Sequence, residues 1–226
     1  MSIKFIFFDI DQTLVDYSGA VSKAITLFIQ KNPFLKTISS SEFKSTWTAL
    51  RTLYTQPKLD GKVSLNDLRI ERMRMLVKYF GFTLSSSEIE RLTFDFFKLC
   101  EISCCAFPDV EPVLNKLVDY NFGVITNGKE SIQRKKLANA GLNYSFYPFI
   151  ASVDYKCAKP SQKIFEFALK KAEVSSNHCL MIGDNLKTDI LPAEHLGIKA
   201  IFLNRKKNQD YKVAQINSLY ELEEFL

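Results

Sequence analysis

Residues 5–14 read Phe-Ile-Phe-Phe-Asp-Ile-Asp-Gln-Thr-Leu. The apolar run that opens it, Phe5–Phe8, reads as a strand buried on both faces, the pattern of a parallel sheet. The strand spans 5–9 and stops abruptly in two carboxylates, Asp9 and Asp11, with Thr13 behind them. Four further segments, 122–126, 149–153, 179–182 and 200–203, have the same character: short, apolar and bounded by turn or charged residues. Helical patterns over 109–119, 131–140, 161–173 and 186–196 alternate with them. Gly141 and Gly197 follow two of these as candidate left-handed caps, and Pro160 stands near the first turn of the third. This alternation predicts an α/β fold, a doubly wound and mostly parallel sheet.

The segment between the first strand and residue 107 differs. It holds about four helical stretches and no convincing strand. The first covers 18–31. Ser39 and Glu42 have capping-box spacing ahead of Phe43, Trp47, Leu50 and Tyr54. A third stretch covers 66–80 and ends at Gly81. Ser85 and Glu88 repeat the capping-box spacing ahead of Ile89, Leu92, Phe96 and Leu99. The expected organisation is therefore an α/β core from 1–14 and 107–226, with an all-helical domain inserted at 15–106. The aromatics Trp47, Tyr54, Phe96 and Phe97 sit at helical spacings, which assigns them to the insertion's own core.

Composition narrows the class. The 226 residues are 46% hydrophobic and 24% charged, which excludes a disordered chain, collagen or a coiled coil. Thirty basic against 25 acidic side chains give a net charge of +5. That surplus suits an anionic substrate, but it is spread widely and no reader motif accompanies it, so no nucleic acid polymer is expected as partner. Arg205, Lys206, Lys207 and Lys212 form the densest basic patch and read as a solvated loop. Five cysteines without a C-x-x-C spacing, and two histidines far from them, argue against a zinc site or a disulfide framework. A reducing, cytoplasmic setting is expected. No run is long enough to cross a bilayer, and carboxylates interrupt the N-terminal run too early for a signal peptide, so no membrane association is expected.

In open α/β sheets, sites form beyond the carboxyl ends of the strands. Three of those ends turn polar here: Asp9-Ile10-Asp11-Gln12-Thr13, Thr126-Asn127-Gly128, and Gly183-Asp184-Asn185 with Asp189 five residues beyond Asp184. Lys159-Pro160 opens the helix between the third and fourth strands. Asp9, Asp11 and Asp184 would bring three carboxylates together, a costly arrangement unless a cation lies among them. A hard divalent ion with oxygen ligands, Mg²⁺ first, resolves the repulsion. The Thr126 hydroxyl, the Asn127 amide groups and the Lys159 ammonium suit phosphate oxygens. Asp189 also reads as an ordinary first-turn helix acid.

Together, Asp9-x-Asp11-x-Thr13, Thr126-Asn127, Lys159-Pro160 and Gly183-Asp184 with Asp189 resemble the motifs of haloacid dehalogenase (HAD) superfamily hydrolases, of the type with a helical cap after the first strand. The resemblance implies a Mg²⁺-dependent phosphatase acting on a small phosphorylated metabolite, as a monomer or homodimer. Asp9 would be the nucleophile, forming an aspartyl-phosphate. Asp11 would protonate the leaving alkoxide and then activate water. The metal ligands would be the Asp9 carboxylate, the Asp11 backbone carbonyl and Asp184. Thr126, Asn127 and Lys159 would hold the phosphoryl group. Asp189 would orient Lys159 or a metal-bound water, and Thr13 would brace the loop after the nucleophile. Cap closure would exclude water, with hinges near residues 16–19 and 106–109. Tyr17 is the aromatic near a hinge most suited to touching substrate.

Within the superfamily the chain is similar to the 5′-nucleotidase branch, including pyrimidine nucleotidases, on the strength of Gln12, the nearby Asp16-Tyr17 and the large cap. Sugar phosphate and phosphoglycolate phosphatases share the architecture, and phosphomutase activity stays open. A 2-haloacid dehalogenase shares the fold and nucleophile but lacks an acid two residues later, so Asp11 argues against it. A non-catalytic binding module would have lost one of the motif residues, and all are present.

Overall fold

The computed structural model describes residues 2–53, 64–207 and 211–226. The chain divides into two compact units: residues 1–17 with 104–226, and residues 18–103. These limits lie a few residues inside the 15–106 bounds read from sequence. The reason is local. Val15 bridges Ala106 antiparallel, and the Asp16 N–H donates to the Cys105 carbonyl at 2.9 Å, so both chain crossings stay tied to the α/β unit.

The α/β unit carries a six-stranded, all-parallel sheet in the order β3-β2-β1-β4-β5-β6. The strands are β1 Phe5–Phe8, β2 Asn121–Thr126, β3 Phe149–Ala151, β4 Cys179–Gly183, β5 Lys199–Leu203 and β6 Gln215–Ile216. β1 is central, with Phe8 beside Val124 of β2 on one side and Ile182 of β4 on the other. The connections leave in opposite directions from this point, so a crevice opens at the carboxyl ends of β1 and β4. The strands are almost wholly buried, which is why they read as continuous apolar runs rather than alternating ones. Phe5 and Phe7 stack on one face (centroids 4.6 Å) within a cluster containing Ile125, Ile164, Phe165 and Met181; Phe8 meets Phe122 at 5.9 Å. Gly123 sits opposite Phe7 because a Cβ there would lie 2.8 Å from the ring.

The helices of this unit are α5 Val110–Lys116, α6 Glu130–Asn139, α7 Gln162–Ala172 and the short α8 Leu191–Glu194. α8 is what remains of the helix expected over 186–196. Its first half, Leu186–Ile190, winds as a π-helix whose start is capped by Asn185, and Pro192 stands in the first turn of the helix that follows. β6, two residues long, carries too little pattern to be read from sequence. The C-terminal 3₁₀ turn, Leu219–Phe225, is held by a capping box of Ser218 and Glu221.

The second unit is all-helical among its described residues. The chain enters it through α1 Tyr17–Lys31, and it holds α2 Ser40–Leu53, α3 Leu65–Tyr79 and α4 Ser86–Ile102. Ser85 and Glu88 form the expected capping box; Ser64 caps α3. The core is aromatic: Phe28, Phe43, Trp47 and Phe96 are buried, with Trp47 and Phe96 edge-to-face at 4.6 Å. Arg72 lies 3.7 Å over the Trp47 ring and Arg69 lies 4.0 Å over Phe97. Tyr54 lies outside the described residues.

Candidate active site

β1 hands its last hydrogen bond to Asp9, whose N–H donates to the Ile182 carbonyl of β4 at 3.0 Å. The chain then turns tightly. Gln12 has a left-handed backbone (φ 67°) and its N–H bonds the Val15 carbonyl at 2.8 Å, closing a compact loop over residues 10–15. A non-glycine residue at positive φ stores strain of about 1 kcal/mol, which is characteristic of functional turns. Arg205 braces this loop by donating to the Thr13 carbonyl at 2.8 Å, while both its terminal nitrogens bind Asp109 at 2.9 Å. The Thr13 hydroxyl is buried with no hydrogen-bond partner among the described residues.

Lys159 enters the crevice almost completely buried (2% exposed). Its ammonium donates to Asp9 Oδ1 at 2.6 Å and to the Ile125 carbonyl at 2.9 Å, and lies 2.6 Å from Asp189 Oδ1. An ammonium has three protons, so all three are committed. Asn127 fixes this lysine from behind: its side chain accepts from the Lys159 N–H (2.8 Å) and donates to the Lys159 carbonyl (2.9 Å). In this arrangement it secures the backbone of Lys159, and Lys159 in turn holds Asp9. Thr126 accepts from Gln133 Nε2 at 2.7 Å, which leaves its own O–H as a donor.

β4 delivers Asp184, and the π-helical turn behind it returns Asp189 to the strand end. Asp189 is 1% exposed and accepts from the Asn185 N–H (3.0 Å) and the Thr188 hydroxyl (3.2 Å), besides facing Lys159. Gly183 makes this return possible, because a Cβ there would lie 2.5 Å from the Asp189 side chain. Carboxylate oxygens of Asp9, Asp184 and Asp189 lie within 4.8 Å of one another.

Asp11 does not join that cluster by its side chain, contrary to the sequence expectation of three converging carboxylates at 9, 11 and 184. Both its oxygens accept from Lys136 Nζ at 2.7 Å. The same ammonium lies 3.8 Å from the centroid of the Tyr17 ring. Sequence reasoning missed Lys136 and Gln133. The available signal was their shared spacing with Leu137 on one face of α6, where a lysine three residues from a glutamine and beside a leucine is buried rather than solvated.

The electrostatics follow from burial. Desolvation raises the Asp9 carboxyl to about 8; Lys159 opposes this, and Asp189 and Asp184 add to it. Asp184 rises to about 6, again chiefly through burial and then through Asp189. Burial works against the charge on Lys159, but Asp189 and Asp9 overcome it and hold its pKa above the ordinary lysine range. Four carboxylates against two ammonium groups leave a formal charge of −2, which one divalent cation cancels. The donor set, hard oxygens on two loops, fits such an ion: Asp9 and Asp184 would hold it, with Asp189 close by.

A family model described as haloacid dehalogenase-like hydrolase matches residues 3–197. The chain belongs to this HAD-like hydrolase family. Two curated relatives are pyrimidine 5′-nucleotidases. YjjG of Escherichia coli (strain K12) is 33% identical over 129 residues, covering 54% of this chain and 57% of that protein, so that match spans little more than half of the relative. PynA of Streptococcus pneumoniae is 26% identical over 222 residues, covering 95% of this chain and 90% of that one. Among solved structures, the magnesium-bound HAD-hydrolase YfnB of Bacillus subtilis superposes with a TM-score of 0.83 at 21% identity, over 100% of this chain and 99% of that one, a likeness of fold. As a HAD-like hydrolase the chain is an enzyme, and the parallel sheet with its helices is the family's Rossmann-like core. Among the described residues no helix is long and apolar enough to cross a membrane.

Proposed function

We propose that this hydrolase is a Mg²⁺-dependent phosphatase that cleaves small phosphomonoesters through an aspartyl-phosphate on Asp9, with nucleoside 5′-monophosphates as its substrate class. The observation that carries the reading is the division of labour between two carboxylates two residues apart. Asp9 is held by Lys159 inside the acidic cluster, while Asp11 stands apart on Lys136. That separation supports Asp9 as the nucleophile and Asp11 as the proton-transfer group, the two roles a phosphomonoester with a basic leaving group requires.

In the first half-reaction an Asp9 oxygen attacks phosphorus as the ester P–O bond breaks, and the proton on Asp11 passes to the departing oxygen. In the second, Asp11 takes a proton from water as that water attacks the phosphorus of the aspartyl-phosphate, and Asp9 leaves as a carboxylate. Asp9, Asp184 and the Asp11 carbonyl would hold a Mg²⁺, which would supply charge neutralisation at the phosphoryl group. Lys159 orients Asp9 and offers positive charge where equatorial charge develops. The Thr126 hydroxyl donates to a phosphoryl oxygen. Asn127 acts through Lys159, Asp189 holds the opposite side of the same ammonium, and Thr13 braces the loop.

Haloacid dehalogenation needs no proton delivered to its leaving halide, so the presence and anchoring of Asp11 disfavour it. The nucleotidase preference is supported by the similarity to YjjG and PynA. A panel of nucleoside monophosphates, triose and hexose phosphates, phosphoglycolate and a 2-haloacid, each with and without Mg²⁺, tests the proposal. Turnover of pyrimidine monophosphates above the others, dependent on Mg²⁺ and abolished in Asp9→Asn, supports it. Halide release without metal contradicts it.

A further inference from the structure

We infer that Lys136 is a positioning residue for the proton transfers of Asp11. The inference rests on the reading of Asp11 as the acid–base group. Lys136 lies on α6, eight residues beyond the Thr126-Asn127-Gly128 strand end and 125 residues from Asp11, and is 5% exposed. A buried ammonium loses several kcal/mol of hydration unless its protons are matched. Here the match is specific: two bonds of 2.7 Å to the two oxygens of one carboxylate, and the face of Tyr17 at 3.8 Å. A carboxylate bonded through both oxygens loses rotational freedom about its terminal torsion. Asp11 is thereby kept out of the Asp9, Asp184 and Asp189 group, although only Ile10 separates it from Asp9.

The same helix face performs a second task of the same kind, since Gln133 donates to the Thr126 hydroxyl at 2.7 Å. One turn of α6 thus supports the ends of two strands, β2 through Gln133 and β1 through Lys136. Lys136 itself touches none of the three clustered carboxylates, so its effect on the reaction passes through Asp11. The step it serves is the one already written: with one Asp11 oxygen kept on Lys136, the other is released to carry the proton, its O–H bond breaks as the leaving oxygen gains that proton, and the reverse transfer follows from water.

A positioned general acid is worth about 10²- to 10⁴-fold when the leaving group is a poor one. A leaving phenolate that is stable as an anion needs little help. The test compares kcat/KM, which reports the steps through cleavage of the ester bond, for an alkyl phosphate and for p-nitrophenyl phosphate. In Lys136→Met the alkyl substrate should lose about 100-fold or more and p-nitrophenyl phosphate only a few-fold. Lys136→Arg, which restores a two-pronged donor, should recover part of the alkyl rate. The thermal stabilisation by Mg²⁺ should be retained in both, because the clustered carboxylates keep their partners. Should Lys136→Met fail to fold, Lys136→Gln, whose neutral amide N–H can donate to one Asp11 oxygen, provides the same comparison. Equal losses on both substrates, or loss of the Mg²⁺ stabilisation, overturn the inference. Asp11→Asn separates the two failures: if it leaves alkyl phosphate turnover intact, the acid–base reading of Asp11 has failed. If it abolishes turnover while Lys136 variants show no leaving-group dependence, only the role of Lys136 has.

Discussion

Remove the divalent ion with a chelator and raise the pH, and the protein should lose stability in a way the acidic cluster dictates. The Asp9 carboxyl sits at about 8 in the folded chain against an ordinary value of 3.8, chiefly because burial penalises its charge. The folded state therefore holds a proton that the unfolded state has released. Its contribution to stability is fully present below about pH 4 and disappears as pH rises through about 8. One pKa unit corresponds to about 1.4 kcal/mol. Between about pH 6 and pH 8 the loss from Asp9 is about 2 kcal/mol, and Asp184, raised to about 6, adds a few tenths. For a chain of this size that is roughly a 5–10 °C fall in Tm. With saturating Mg²⁺ the ion takes the place of the proton, so the slope flattens and the metal's stabilisation grows with pH, reaching about 2.7 kcal/mol at a hundredfold excess over Kd. Scanning calorimetry at several pH values, in chelator and in Mg²⁺, measures both curves. Asp9→Asn removes the titrating group and should show a flatter curve in chelator. A metal-free Tm that does not change between about pH 6 and pH 9, or a slope that persists unaltered in Asp9→Asn, refutes the electrostatic account.

Two further substitutions probe the supports. Gly183→Ala places a Cβ against Asp189 and should push that carboxylate off Lys159, costing about 1–3 kcal/mol by chemical denaturation and weakening Mg²⁺ stabilisation; full retention of both contradicts the close-approach argument. Arg205→Met removes both donors to Asp109 and the brace on the Thr13 carbonyl. It leaves Asp109 with the Ser218 hydroxyl and the Leu219 N–H, so a loss of about 2–4 kcal/mol with lowered kcat is expected, and a change below about 0.5 kcal/mol contradicts the strut.

Much of the fold is legible in the chain because parallel strands buried on both faces leave uninterrupted apolar runs, as in 5–8 and 179–183, and because Gly81, Gly141 and Gly197 mark helix ends with the positive φ they adopt. The exceptions have local causes. Side-chain capping by Asn185 and the return of Asp189 convert the first half of an expected helix into a π-turn. The two residues of β6 are too few to carry a period. At the site, motif positions give the strand ends but not the partners. The backbone of Lys159, clamped by the Asn127 side chain, is one such partner. The Asp11 carboxylate was expected beside Asp9 and instead rests on Lys136, because a buried ammonium on a neighbouring helix outcompetes a crowded group of like charges. No linear pattern announces such a pair, 125 residues apart.

The central claim is that Asp9 becomes transiently esterified by phosphorus, and it can be tested directly. Mix the Mg²⁺-loaded enzyme with a phosphomonoester radiolabelled in the phosphoryl group, quench in acid within a single turnover, and map the labelled peptide. The account predicts label on the peptide containing Asp9, released by hydroxylamine and absent in Asp9→Asn. Rapid turnover with no labelled protein at any quench time, or label on another residue, contradicts it.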